Sequence, residues 1–201
     1  MMEAAVERRP PDSYWRNPSF VRRYAQNNIE GVRDNPGARE FNAMCMAAFA
    51  QGIEYLAGRP ATILDVGCGH AARTAGLRSF FQCRVVGVDY SKPMLEEAAR
   101  IMQILPQEQR AELVHADVNQ LPFADAEFDV AICYGLLMSL PDAVPGLREI
   151  HRVTKHGLVA IEETDAAMDD AQLKAYRDVK ERVFPARIYW HDYLAAFTAS
   201  G

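Results

Sequence analysis

Two patterns of apolar residues divide the chain. Up to about residue 57, apolar side chains recur every three or four positions, which is the spacing of one helix face. This spacing predicts a short helix over 20–29 that Ser19 would cap, a turn at 31–37 and a longer helix over 38–56. From Ala61 onward, short apolar runs alternate with helical stretches. The alternation predicts strands at 62–66, 84–88, 111–115, 129–133 and 158–162, with helices at 71–81, after Ser91 and at 142–154.

Strands that alternate with helices form a parallel sheet with right-handed crossovers. The sequence therefore predicts an α/β, Rossmann-like fold with about five evident strands and a helical lid at each end. We divide the chain into an N-terminal arm and lid at 1–57, a cofactor-binding core at 58–163 and a helical acceptor-side segment at 164–201. In such a sheet, ligands bind at the carboxyl ends of the strands.

The first predicted strand is joined to its helix by a short glycine turn, Gly67-Cys68-Gly69. Glycine adopts backbone conformations that are closed to other residues, and its lack of a side chain lets a ligand approach the main chain. The helix that follows the turn presents unpaired N–H groups at its N-terminus. This arrangement indicates a site for a cofactor that contains adenosine.

Acidic residues near the ends of three strands bear on which cofactor binds. Asp89, after the second strand, suits ribose hydroxyls, and together with the G-x-G-x-x-A pattern of the turn it also fits a dinucleotide such as NAD. Asp65, two residues before the first glycine, is poorly placed for a negatively charged pyrophosphate. It suits a ligand that carries an ammonium and a sulfonium. Asp117, after the third strand, can accept a hydrogen bond from an adenine amino group.

Composition argues against several other functions. The net charge of −5 disfavours nucleic-acid binding, which needs a basic face. The four cysteines lack C-x-x-C spacing and no Cys/His cluster has ligand spacing, so we predict reduced thiols and no metal site. No signal peptide is evident, and the longest apolar stretches fall short of the ~18 residues that span a membrane. We therefore predict a cytoplasmic protein that does not associate with membranes.

Four ordered motifs resemble those of the class I S-adenosylmethionine-dependent methyltransferases, in particular small-molecule enzymes similar to the ubiquinone-biosynthesis methyltransferases. The motifs are ILDVGCG at 63–69, VGVDYS at 86–91, ADVNQLPF at 116–123 with the FD pair at 128–129, and LREIHRV at 147–153. The resemblance covers half of the chain. It implies S-adenosyl-L-methionine as the cofactor and a small molecule as the methyl acceptor.

The resemblance also implies roles for residues on the methionine side of the cofactor. Gly67 and Gly69 would carry the methionine part on the turn, with Cys68 between them. Asp65 would contact the cofactor amino group, directly or through water, and Asp89 would bind both ribose hydroxyls. The third glycine of the family's first motif is replaced here by Ala71, which is also small.

Further roles are implied on the adenine and acceptor sides. Tyr90 would flank the adenine, and Asp117 would bind its amino group beside the Val118 backbone. Tyr134, just past the fourth strand, would line the wall near the methyl group. His191 is the candidate general base, with a surface or capping role as the alternative; a base helps only when the acceptor is a hydroxyl or an ammonium. An aromatic acceptor pocket, or else ordinary core packing, would be formed by Tyr14, Trp15, Tyr24, Tyr134, Tyr189 and Trp190.

The end of the chain departs from the family pattern. The family sheet has seven strands, the last two an antiparallel pair, and the sequence predicts no such pair. A bare fifth strand would expose a sheet edge, so we expect either a truncated chain or an edge covered by a second subunit, as in a homodimer, or by the N-terminal helices. Two other functions stay open: a cofactor-binding partner protein without activity, and an NAD-dependent oxidoreductase.

Overall fold

The computed structural model describes residues 14–162, 171 and 193–200. Its strands are β1 Thr62–Val66, β2 Arg84–Asp89, β3 Glu112–His115, β4 Val130–Tyr134 and β5 Leu158–Ile161. Its helices are α1 Pro18–Asp34, α2 Pro36–Ala57, α3 Ala72–Phe81, α4 Lys92–Ile104, α5 Val144–Val153 and α6 Tyr193–Ser200, with short 3-10 helices at Gln107–Gln109 and Leu137–Ser139. None of the helices in the described ranges is long and apolar enough to cross a membrane.

The five strands form one sheet in the order β3-β2-β1-β4-β5, and every neighbouring pair is parallel. The predicted α/β, Rossmann-like class is therefore confirmed. The order reverses between β1 and β4, since the chain builds outward from β1 to β3 and then returns to the other side of β1. Ligands of open α/β sheets bind at such a reversal, outside the carboxyl ends of the strands.

Two buried layers hold the sheet between its helices. On one face, Phe49 and Ile53 of α2 pack with Ile63 and Ile132 of β1 and β4. On the other face, Leu147 and its neighbours in α5 pack on the alternate residues of the same strands. Strands that are buried on both faces carry nearly continuous apolar runs, which is why their positions were predicted closely from the sequence.

The N-terminal helices begin and end differently from the prediction. Asn17, not Ser19, caps α1, because its side-chain oxygen accepts from the Ser19 and Phe20 N–H groups at 3.0 and 3.2 Å. The predicted turn at 31–37 is a single residue, Asn35, which ends α1 and also caps α2. Pro36 has no N–H to continue α1 but is favoured at the start of a helix.

Of the two N-terminal helices, α2 packs on the sheet and α1 packs on α4. A Cβ added to Gly52 of α2 would lie 2.7 Å from Cγ1 of Val159, so α2 packs directly on the face of β5. Helix α1 contacts α4, and Arg22 pairs with Glu97 across them at 3.4 Å. The proposed divisions of the chain near residues 57 and 163, and the covering of the β5 edge by a second subunit, stay predictions. Most of the segment 164–201 lies outside the described residues.

Candidate functional site

The turn after β1 is folded back onto β2. The N–H groups of Gly67 and Cys68 both donate to the Val88 carbonyl, at 2.8 and 3.0 Å. Gly67 and Gly69 have φ of 71° and 57°, in the left-handed region that glycine enters without strain. Ala71, which precedes α3, shares this conformation with φ of 58°, at a cost of about 1 kcal/mol for a residue with a Cβ.

Asp89 connects this turn to the end of β2. Its Oδ2 accepts from the Gly69 N–H and its Oδ1 from the Ser91 N–H, both at 2.8 Å. Burial raises the pKa of this carboxyl, while the two backbone N–H groups oppose that rise. Each oxygen accepts one backbone hydrogen bond and retains a lone pair, because a carboxylate oxygen can accept two.

A cavity of about 360 Å³ opens beside the turn, at the carboxyl ends of β1, β2 and β4. This volume lies within the range of small-molecule sites, about 300–1,000 Å³. The cavity wall consists of Trp15, Tyr24, Val66, Gly67, Gly69, Asp89, Tyr90, Ser91, Met94, Asp117, Val118, Asn119, Tyr134, Gly135, Leu136, Ser139, Leu140 and Pro141.

Most of the predicted site residues meet at this one cavity. Those on its wall are Gly67, Gly69, Asp89, Tyr90, Asp117, Val118 and Tyr134. Asp65 and Cys68 do not line the cavity and are buried behind it, with 1% and 7% of their surfaces exposed. The predicted base His191 lies outside the described residues, as do Tyr189 and Trp190. The ligand-binding roles of all these residues stay predictions.

Comparison with known proteins relates the central part of the chain to methyltransferases. Residues 64–161 match the family model described as a methyltransferase domain. The demethylmenaquinone methyltransferase of Lysinibacillus sphaericus is 35% identical over 132 residues, which cover 63% of this chain and 53% of the relative. The enzyme of the same name from Staphylococcus saprophyticus is 41% identical over 97 residues, covering 47% of this chain and 40% of the relative.

Residues 64–161 belong to the class I S-adenosylmethionine-dependent methyltransferases. A solved S-adenosylmethionine-dependent methyltransferase from Methanosarcina mazei supports this assignment, with a TM-score of 0.55, 27% identity, and 66% of this chain and 65% of that chain covered. The YcgJ protein of Bacillus subtilis shares the fold, with a TM-score of 0.62 at 23% identity over 77% of this chain and 67% of that chain. The chain spans about half the length of the relatives it matches.

In this methyltransferase domain, Asp65 is buried next to the turn and forms a hydrogen bond with α3. Its Oδ2 accepts from the Thr74 hydroxyl of α3 at 2.6 Å. Burial raises the pKa of Asp65, and the Thr74 hydrogen bond and the nearby Arg73 charge oppose that rise. Asp65 thus anchors the start of α3 through Thr74, and its contact with the cofactor amino group, directly or through water, stays a prediction.

Replacing Asp65 with asparagine is expected to raise thermal stability at neutral pH. Asparagine keeps an oxygen for Thr74 but removes a charge that burial disfavours. Because the folded pKa of Asp65 is raised, the wild type loses stability as pH rises from the ordinary aspartate range through that raised pKa, while the variant does not. The gain in melting temperature should therefore be absent near pH 4 and grow toward pH 8.

Thermal unfolding of both proteins across this pH range checks the expectation. Asp34→Asn is the control, since Asp34 is exposed and pairs only with its neighbour Arg33 among the described residues. A melting-temperature difference that is the same at every pH would mean that the Asp65 charge is not the cause.

The loop after β4 is held in place by an acid at the end of β5. Oε1 of Glu162 accepts from the N–H groups of Leu136 and Leu137 at 2.9 and 3.1 Å, and the Cys133 thiol lies 3.6 Å away. Its Oε2 is buried and has no hydrogen-bond partner within the described ranges. Burial raises the pKa of Glu162, and the backbone N–H groups oppose that rise. Glu162 thus fixes the loop that forms the Leu136 side of the cavity.

An aromatic cluster at and just before the start of α1 contributes to the cavity wall. Trp15 meets Tyr24 and Phe20 edge to face, with ring centroids 5.0 and 5.5 Å apart. The Trp15 carbonyl accepts from the Ser91 hydroxyl, which also caps α4. Of the aromatic residues named for an acceptor pocket, Trp15 and Tyr24 lie on the cavity wall and Tyr14 does not; the pocket's role in binding an acceptor stays a prediction.

Two residues near the site carry little signal in the sequence. Glu162 is recognisable only as an acid at a strand end, and its task of fixing the β4 loop depends on the pairing of β4 with β5. Arg73 gives no signal beyond its place in the first turn of α3, yet its guanidinium lies over the ring of Tyr134. Both were missed because their partners are distant in the chain.

Proposed function

We propose that the chain acts as a methyltransferase that transfers the methyl group of S-adenosylmethionine to a small-molecule acceptor. The observation that carries the proposal is the position of Asp89, which is held by the Gly69 and Ser91 N–H groups at the wall of the cavity. A carboxylate that is fixed in this way at the end of the second strand suits the two hydroxyls of a ribose.

The residues present fit the proposed cofactor. A Cβ added at Gly69 would meet no atom within 4 Å, so the turn borders open space in which a ligand can lie against the main chain. Asp89 would bind the ribose, with Tyr90 beside the adenine. Asp117, whose Oδ1 accepts from the Asn119 main chain and side chain at 2.9 and 3.0 Å, would bind the adenine amino group. The methionine part would lie on Gly67 and Gly69.

We further propose that the acceptor is a flat, largely apolar ring compound of the quinol type. Trp15, Tyr24, Leu136, Leu140 and Pro141 supply an apolar wall that would orient such a ring and exclude water. The names of the relatives, demethylmenaquinone methyltransferase, point to the same class of acceptor. The overall negative charge supports a small molecule over a nucleic acid.

Because the methyl donor is already activated, the main contribution of the protein to methyl transfer would be to position the two reactants. S-adenosylmethionine would supply a methyl group on a positively charged sulfur, so that the acceptor bonds to the methyl carbon while the carbon–sulfur bond breaks and S-adenosylhomocysteine leaves. The protein contributes a close, water-free approach of the two reactants. Within the described ranges, the ionisable side chains on the wall are Asp89, Asp117 and the tyrosines Tyr24, Tyr90 and Tyr134. His191 stays the proposed base for an acceptor that must lose a proton.

Calorimetry and a transfer assay test the proposal. The purified chain should bind S-adenosylmethionine and S-adenosylhomocysteine but not NAD. With donor labelled in the methyl group, it should transfer label to a reduced 1,4-naphthoquinone that lacks a ring methyl. Binding without transfer to any quinol would favour the inactive partner protein, and binding of NAD alone would overturn the assignment of the cofactor.

A further inference from the structure

A half-buried arginine beside the cavity forms no ion pair with any residue that the structure describes. Arg73 lies in the first turn of α3, and its guanidinium carbon lies 4.1 Å from the ring centroid of Tyr134 and 5.7 Å from that of Phe49. Its Nε is buried and makes no hydrogen bond within the part of the chain that the structure describes. A buried donor on a charged group is costly unless a partner is supplied.

Another arginine of the same fold shows that stacking on an aromatic ring does not prevent pairing. Arg84 lies 5.5 Å from the ring centroid of Phe128, and its guanidinium also pairs with Glu112 at 2.9 Å and with Glu127 at 3.2 Å. Arg73 has the closer ring contact, and no ion pair is formed by it among the described residues. Within the described part of the chain, the Arg73 guanidinium is therefore available to an anionic ligand.

The positive charge of Arg73 lies close to two tyrosines of the cavity wall. Tyr134 and Tyr24 both line the cavity; the first lies under the guanidinium, and the Arg73 charge opposes the rise that burial causes in the pKa of the second. At His70, in the turn, burial lowers the pKa and Arg73 lowers it further. The guanidinium therefore lies over Tyr134 of β4 and near Tyr24 of α1 and His70 of the turn.

The start of α3 adds a second attraction for an anion at this place. No side chain caps this helix of 10 residues, so its first N–H groups have no capping acceptor among the described residues. The helix dipole places a partial positive charge at the same end. Arg73, one residue into the helix, adds a full charge and several N–H donors that match a carboxylate in geometry.

We propose that Arg73 binds the carboxylate of the methionine part of the cofactor. The inference rests on the proposed function, because it assumes that the adenosine lies on the Asp89 and Asp117 side of the cavity. The methionine part then extends over Gly67 toward Tyr134 and Arg73. Its carboxylate is the anionic group of S-adenosylmethionine, and it meets the one cation that the described residues place there without an anionic partner.

Decarboxylated S-adenosylmethionine separates this role from a general effect on binding, because it lacks only the carboxylate. Calorimetry on the wild type should show about 10- to 100-fold weaker binding of the decarboxylated ligand than of S-adenosylmethionine. Arg73→Met, which keeps an apolar chain over Tyr134, should bind both ligands equally, with the affinity of the wild type for the decarboxylated one. Arg73→Lys should restore part of the preference.

Two comparisons keep the outcomes distinct. Arg100→Met removes the same charge from exposed Arg100 of α4, which pairs with Glu97, and should leave the preference unchanged. A wild type that binds both ligands equally, or an Arg73→Met variant that keeps the preference, overturns the role of Arg73 alone. A wild type that binds neither ligand overturns the proposed function as well. The comparison of ligands on the wild type needs no variant, so it holds even if Arg73→Met does not fold.

Discussion

Asp89→Ala is expected to weaken binding of S-adenosylhomocysteine by about 100-fold. Loss of a charged hydrogen bond to the ribose costs about 1.5–3 kcal/mol, or about 10- to 100-fold in affinity. The structure adds a second cost, because the same carboxylate accepts from the Gly69 and Ser91 N–H groups and so shapes the turn. The expected loss therefore lies at the upper end of that range, as measured by calorimetry.

Controls separate the charge of Asp89 from its place in the turn. Asp89→Asn keeps one side-chain oxygen for a backbone N–H and should lose less affinity than alanine, while Asp34→Ala on the surface should lose none. Since burial raises the pKa of Asp89, affinity should also fall as pH decreases through that raised value and the carboxylate is protonated. An Asp89→Ala variant with wild-type affinity would contradict the assignment of the ribose site.

Glu162→Ala is expected to lower the free energy of unfolding by about 2–4 kcal/mol. The substitution leaves the N–H groups of Leu136 and Leu137 without their acceptor, and each unsatisfied buried donor costs about 1–3 kcal/mol. The loop after β4 should also loosen, so affinity for S-adenosylhomocysteine should fall along with stability. Denaturant unfolding and calorimetry on the same preparations measure both effects.

Glutamine at the same position is the matched control. Glu162→Gln retains an oxygen for the two N–H groups and removes the charge that burial disfavours, so its stability should stay close to that of the wild type. Glu96→Ala, at an exposed position on α4, should change neither property. If alanine and glutamine at position 162 prove equally stable, the hydrogen bonds of Glu162 do not hold the loop.

The strands show how far the order of apolar and polar residues determines this fold. The prediction for β1 matches the structure at both ends, those for β2, β3 and β5 differ by one residue at one end, and that for β4 is shifted by one residue. Burial on both faces gives β1, β2 and β4 nearly continuous apolar runs, and the alternation of such short runs with helical stretches indicates strands. The N-terminal helix boundaries were predicted less well, because Asn17 and Asn35 cap their helices through local hydrogen bonds that periodicity does not reveal.

The residues of the candidate site likewise divide into those that the sequence predicts and those whose place depends on tertiary packing. The sequence by itself determined the turn at Gly67, the acids at the strand ends and the family, since these depend on residue type and spacing along neighbouring strands. Only the tertiary structure decided that Asp65 lies beneath the turn on Thr74, that Glu162 holds the β4 loop, and that Arg73 lies over Tyr134 without an anionic partner in the described residues. Each of these contacts depends on which segments, distant in the chain, pack together. The burial that results, and not the residue type alone, shifts the pKa of Asp65 and Glu162.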